Sequence, residues 1–167
     1  MPGSASLVNI FWRGVVMQAH EIMKTEVIKV KKHDNVRAVI AKFIKYGISG
    51  LPIVDDHDRM LGYISDGDIM RHIGKQKNHV MDFFSFVYIA RGNDDDFEEK
   101  AKEIMELNVL KIASRKVITV SWDEKIGNIA SILGSKEIKK LPVERDGRLV
   151  GIISRGDVIR TAFRALM

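Results

Sequence analysis

The sequence predicts an α/β protein built from one strand-helix-strand-strand-helix unit used twice. Three observations carry that expectation. GYISDGD at 62–68 returns as GIISRGD at 151–157, so Gly62, Ser65 and Asp68 are answered by Gly151, Ser154 and Asp157, each 89 residues on. Upstream, Val27, Ile28, Val30, Ile48, Leu51 and Pro52 return as Val117, Ile118, Val120, Ile138, Leu141 and Pro142, each 90 residues on. The one-residue slip falls between LPIVDDHDRMLG and LPVERDGRLVG, where a turn absorbs a deletion. A repeat of this length is one supersecondary unit, so the second copy must fold as the first does.

In the first copy, EVIKVK at 26–31 alternates β-branched and polar residues as a half-buried strand does. Asp34 reads as an N-cap, and Val36, Val39, Ile40 and Phe43 form one helix stripe that stops at Gly47. Leu51 to Val54 and Met60 to Ile64 are strands around a DDHD turn, and Ser65 opens a helix that ends at Gly74. The second copy gives strands at Val117 to Val120, Leu141 to Glu144 and Leu149 to Ile153, with Asp146-Gly147 as the hairpin signal. Its helices carry Ile126, Ile129, Ala130 and Leu133, then Val158, Ile159, Ala162 and Phe163. The repeats so defined cover 21–74 and 112–167. Residues 75–111 read as a helical connecting segment, with Val80, Phe83, Phe84, Val87 and Ile89 on one apolar face and a second helix from Phe97 to Leu107. Asp94 to Asp96 lack the alternation and central glycine of a calcium loop and read as an acid-rich helix start. Residues 1–20 read as an N-terminal extension outside the repeats, with Met17 an alternative start.

Composition excludes several classes. With 167 residues, 46% of them apolar, the chain can bury a substantial core. No cysteine is present, which rules out disulfides, zinc-thiolate sites and thiol catalysis. No apolar run is long enough to span a bilayer, and the N-terminus lacks a convincing signal peptide, so a cytoplasmic protein with no membrane partner is expected. The net charge of +5 mixes both signs, and its short Lys runs read as solvated surface, so no nucleic-acid partner is expected. The five histidines show no metal-ligand spacing, and no base is placed with a nucleophile, so neither a metal nor an enzyme is expected.

The unit order, the LP elements GISGLPIVD and EIKKLPVER, and the doubled G-h-h-S-x-x-D element together resemble a tandem pair of CBS domains, the regulatory modules named after cystathionine β-synthase. The resemblance covers about 21–74 and 110–165. It implies that the two repeats pack about a pseudo-twofold axis with two clefts between them, that the protein forms a homodimer, and that its ligand is AMP, ADP, ATP or S-adenosylmethionine. It further implies a regulated partner protein of unknown identity and no catalytic cofactor.

Within the doubled element, Gly62 lets backbone approach a bound ring, and Ser65 presents its hydroxyl with the free N–H groups of a first helical turn. Asp68 offers two acceptor oxygens that match a ribose diol. By the family pattern Asp68 and Asp157 hold the ribose, while Ser65 and Ser154 take the neighbouring ribose or phosphate contact; Gly151 repeats Gly62. Adenine would be held by Ile28, Ile48 and Pro52 in one half and by Ile118, Ile138 and Pro142 in the other. Arg155 and Lys139 stand where the first half has Asp66 and Ser49, so the Asp157 site is expected to take the more highly charged nucleotide. The same Ser-x-x-Asp pattern is also a capping box, which leaves open a ligand-independent structural or dimerisation module.

Overall fold

The computed structural model describes residues 17–74, 94–135, 138–164 and 167. The expected apolar helix around Val80 to Ile89 and the extension before Met17 lie outside these residues. The chain divides into two compact units, each an α/β body with a three-stranded sheet.

The first unit comprises Ile28–Asp56 and Leu61–Lys116. Strand β1 (Val30–Lys31) runs parallel to β2 (Gly50–Val54), pairing Val30 with Ile53 and Lys31 with Val54, and β3 (Met60–Ser65) lies on the far side of β2. Between β1 and β2 runs helix α1 (Val36–Tyr46), whose Val36 and Val39 are fully buried against Leu51, Ile53 and Ile64. Ile40 and Phe43 complete the expected stripe. The helix ends at Gly47, whose φ of 60° places it in the left-handed region where a side chain is strained. Helix α2 (Asp66–Ile73) follows β3 directly. Helix α3 (Asp94–Met105) starts at the acidic run, as the helix-dipole argument expects, and a short 3₁₀ turn at Val109–Lys111 follows it. Ile104 and Val109 seal this unit's core.

The second unit repeats the plan with β4 (Val120–Ser121), α4 (Ile126–Ser135), β5 (Lys140–Arg145), β6 (Arg148–Ser154) and α5 (Arg155–Arg164). β4 is parallel and β6 antiparallel to β5. Asp146 and Gly147 have φ of 52° and 73°, the two positive values a two-residue hairpin turn requires. Ile129, Leu133, Leu141, Val143, Ile153 and Val158 form the core.

Three expectations need correction. The first strands are two residues long, because only Val30–Lys31 and Val120–Ser121 lie beside a neighbouring strand. The N-cap of α1 is Asn35, whose side chain accepts from Ala38 N–H at 3.2 Å, while Asp34 accepts from Lys31 N–H at 2.8 Å and closes the preceding turn. The extension does not stay outside the fold. A short helix at Ala19–Ile22 inserts into the second unit's core, with Ala19 0% exposed.

That insertion reveals an exchange. The residues leading into the first repeat pack in the second unit, where Lys24 pairs with Ile152 and Gln18 with Lys125. The residues leading into the second repeat pack in the first unit, where Ser114 pairs with Tyr63 and Asn108 with Asn35. Boundaries drawn at 21 and 112 therefore cut through both lead-ins.

Candidate functional site

Each Ser-x-x-Asp element sits where a sheet strand passes into a helix. In the first unit Ser65 is the N-cap of α2, and Asp68 Oδ2 accepts from Ser65 N–H at 2.8 Å and from its hydroxyl at 2.7 Å. Asp68 Oδ1 accepts from Arg71. In the second unit Asp157 Oδ2 accepts from Ser154 N–H at 2.8 Å and from its hydroxyl at 2.6 Å, and Oδ1 accepts from Arg160 Nη2 at 2.7 Å. Lys24 Nζ lies 3.7 Å from the same Oδ1. The capping box foreseen from the spacing is therefore present, and it uses one carboxylate oxygen only. The other oxygen faces cations.

Both carboxylates are nearly withdrawn from water, at 11% and 9% side-chain exposure. Burial pushes the Asp157 carboxyl up, but hydrogen bonds from Ser154 and Arg160 and the charge of Lys24 outweigh it and hold it below the usual carboxylate range. Lys140, half-buried on β5, is pushed down by burial and by Lys24, with Asp157 opposing.

The remaining expected residues fall into three groups. Ile28 and Ile48 are half-buried against the first core and Ile138 against the second. Pro52 and Pro142 are buried in β2 and β5, and Ile118 is 40% exposed. Gly62 and Gly151 are tight for a reason not foreseen. A Cβ on Gly62 would lie 2.9 Å from the Ser114 carbonyl oxygen, and one on Gly151 2.3 Å from Met23 Sδ. The chain's own lead-ins fill the space these glycines leave, rather than a ligand ring.

Arg155 also differs from expectation. Its Nε donates to the carbonyls of Leu133 at 3.1 Å and Ile138 at 3.0 Å, so it ties the end of α4 to the start of β5. Lys139 is exposed and precedes the strand, and it is the next residue, Lys140, that interacts with Asp157. The cations gathered at Asp157 are therefore Lys24, Lys140 and Arg160. Arg71 and Arg160 had a visible signal, an Asp-x-x-Arg spacing present in both copies. Lys24 had none, since it sits far upstream of Asp157 and reaches it only through the exchanged lead-in.

Among the described residues the first unit has no counterpart of Lys24 or Lys140. At the positions answering Lys24 and Lys140 it has Ser114 and Gly50. The Tyr63 ring covers Gly50, whose added Cβ would lie 2.8 Å from Tyr63 Cε1. Burial, and then the charge of Asp66, raise the Tyr63 phenol to about 12. A folded value above the unfolded one of 10.0 favours the neutral phenol, so this contribution is intact below pH 10 and lost between pH 10 and 12. Alkaline unfolding monitored by circular dichroism should show a loss of about 2 kcal/mol over that window that Tyr63→Phe abolishes.

Among the described residues no group of three or more His, Asp or Glu side chains is arranged to hold a metal ion, and no helix is long and apolar enough to cross a membrane.

Comparison with known proteins agrees with this architecture. The CBS domain family model matches residues 19–75 and 101–164. An uncharacterized protein of Methanocaldococcus jannaschii is 30% identical over 154 residues, covering 87% of this chain and 91% of that protein. Among solved structures, Arabidopsis thaliana CBSX2 in complex with AMP aligns with a TM-score of 0.67 at 20% identity, covering 90% of this chain and 98% of that one. The CBS domain pair of MJ0100, in complex with 5′-methylthioadenosine and S-adenosyl-L-methionine, aligns with a TM-score of 0.61 at 22% identity, covering 89% and 97%. The matched residues take in both repeats and their exchanged lead-ins, and the chain belongs to the CBS domain family, carrying the domain twice.

Proposed function

We propose that the protein is a regulatory module that binds adenosine nucleotides at the two Ser-x-x-Asp sites and passes their occupancy to a partner protein. The observation that carries the reading is the division of labour within each carboxylate. Oδ2 of Asp68 and of Asp157 completes a helix cap, while Oδ1, among the described residues, meets solvent-exposed cationic side chains. A ribose diol can replace an arginine at Oδ1 without undoing the cap, so capping and ligand binding are compatible roles of one residue. The AMP bound by CBSX2 and the S-adenosyl-L-methionine bound by MJ0100 support an adenosine compound as the ligand class.

On this reading Ser65 and Ser154 contact ribose or phosphate, and Ile28, Ile48, Pro52, Ile118, Ile138 and Pro142 surround the base. The module works in the cytoplasm as a homodimer, as a sensor rather than a catalyst. A ligand shifts its state only by binding one arrangement more tightly than another.

Isothermal titration with AMP, ADP, ATP and S-adenosylmethionine tests the reading. Wild type should bind at least one of them below millimolar Kd, and Asp68→Asn with Asp157→Asn should weaken that binding by at least about tenfold. Unchanged affinity in the double variant would remove both carboxylates from the site. A second reading, a structural pair whose Asp residues only cap helices, is favoured by the completeness of both caps. It expects no ligand-dependent rise in melting temperature, whereas ligand at about 100 times Kd should add ~2.7 kcal/mol.

A further inference from the structure

We propose that Lys24 and Lys140 make the second unit's site selective for polyphosphate, so that it takes a nucleoside di- or triphosphate in preference to an uncharged or cationic adenosine compound. The proposal rests on the reading of Ser154 and Asp157 as a nucleoside site, and goes beyond it by assigning the charge discrimination to two lysines.

Three cations converge on one carboxylate. Arg160 and Lys24 share Asp157 Oδ1, at 2.7 and 3.7 Å, and Lys140 stands directly opposite Ser154, the residue that bonds Asp157 Oδ2, across the β5–β6 pair, where its charge acts on Lys24 and Asp157. Among the described residues, Asp157 is the carboxylate paired with Lys24, and Lys140 has no ion pair. Asp157 brings one negative charge against these three positive ones, and its Oδ2 already accepts from Ser154. The cluster thus carries an excess of positive charge, part of it on a half-buried lysine, and its mutual repulsion is relieved by an anion. Lysine serves phosphate as a compact, rotatable point charge, which suits a flexible polyphosphate tail.

The exchanged lead-in fixes one of these charges. Lys24 N–H donates to the Ile152 carbonyl and Ile152 N–H donates to the Lys24 carbonyl, both at 3.0 Å, so its backbone is held like an added strand beside β6. The first unit has a serine and a glycine at the answering positions, and its Asp66 adds a carboxylate where the second unit has Arg155. The proposal thus puts the inequality of the two sites on Lys24 and Lys140, where the sequence reading put it on Arg155 and Lys139.

The test is titration of the full chain with adenosine, AMP, ADP, ATP, S-adenosylmethionine and tripolyphosphate. It compares wild type, Lys24→Gln, Lys140→Gln, the double variant and Lys45→Gln, a charge control on α1. ATP should bind wild type at least about tenfold more tightly than adenosine. The double variant should lose at least about tenfold in ATP affinity and less than about twofold in adenosine affinity, with a shallower salt dependence. Lys24 is 66% exposed at its side chain, so Lys24→Gln keeps the fold and carries the test even if Lys140→Gln does not. Equal losses for ATP and adenosine, an equal loss in Lys45→Gln, or lysine-sensitive binding abolished by Asp68→Asn would each overturn the proposal. Should no adenosine compound bind wild type, the nucleoside reading fails by itself. Tripolyphosphate bound by wild type and lost in the double variant then upholds the anion site, and its absence or insensitivity to the lysines overturns that too.

Discussion

Ala19→Asp is expected to destabilise the second unit by about 3–5 kcal/mol, because it places an unpaired charge at a position with no exposed surface. Ala19 N–H also donates to the Glu124 carbonyl at 2.8 Å, so the backbone there is fixed and cannot swing the carboxylate outward. Trp122 packs against the same core and reports on it by fluorescence; Trp12→Phe removes the other tryptophan. Thr25→Asp, on the exposed part of the same lead-in, should stay within about 0.5 kcal/mol of wild type. If Ala19→Asp proved as mild as Thr25→Asp in urea unfolding, the lead-in would not be part of this core.

Asp157→Ala should cost the second unit about 2–4 kcal/mol at neutral pH. The variant strips the Ser154 N–H and hydroxyl of their shared acceptor and leaves Lys24, Lys140 and Arg160 without a shared counter-charge. The pH dependence follows from the direction of the shift. Burial raises the Asp157 carboxyl, yet the bonds from Ser154 and Arg160 and the Lys24 charge bring it below its unfolded value of 3.8. Its stabilisation is accordingly complete above pH 3.8 and disappears as the pH falls through the lower folded value. Thermal melts from pH 7 downward should show the wild type and Asp157→Ala converging only in that acid range. A gap that closed between pH 5 and 7 would point to a histidine as the origin instead.

Much of this was written in local pattern. The α1 stripe of Val36, Val39, Ile40 and Phe43, the Asp146-Gly147 hairpin and the two Ser-x-x-Asp caps depend on residues within a few positions of each other, and the structure has them where the spacing puts them. What the sequence hid is non-local. No periodicity tells that Ala19 and Lys24 belong with residues near 152, or that Ser114 closes over Gly62. Gly62 and Gly151 were legible as places of close approach, but not as to what approaches. Arg155 looked like a free cation because its partners are main-chain carbonyls of Leu133 and Ile138, and carbonyls carry no residue-type signature.

The paired lead-ins have a consequence for how such a chain can be divided. A fragment cut anywhere between Gly74 and Asp94 would leave each half holding the other's missing piece: one keeps Ala19 and Ile22 without the core they seal, and the other keeps Ile104 and Val109. Neither half can complete itself, whereas two identical halves could complete each other by trading arms. The tandem chain is, in that sense, a domain-swapped dimer written into one polypeptide, with the covalent link replacing the encounter of two copies.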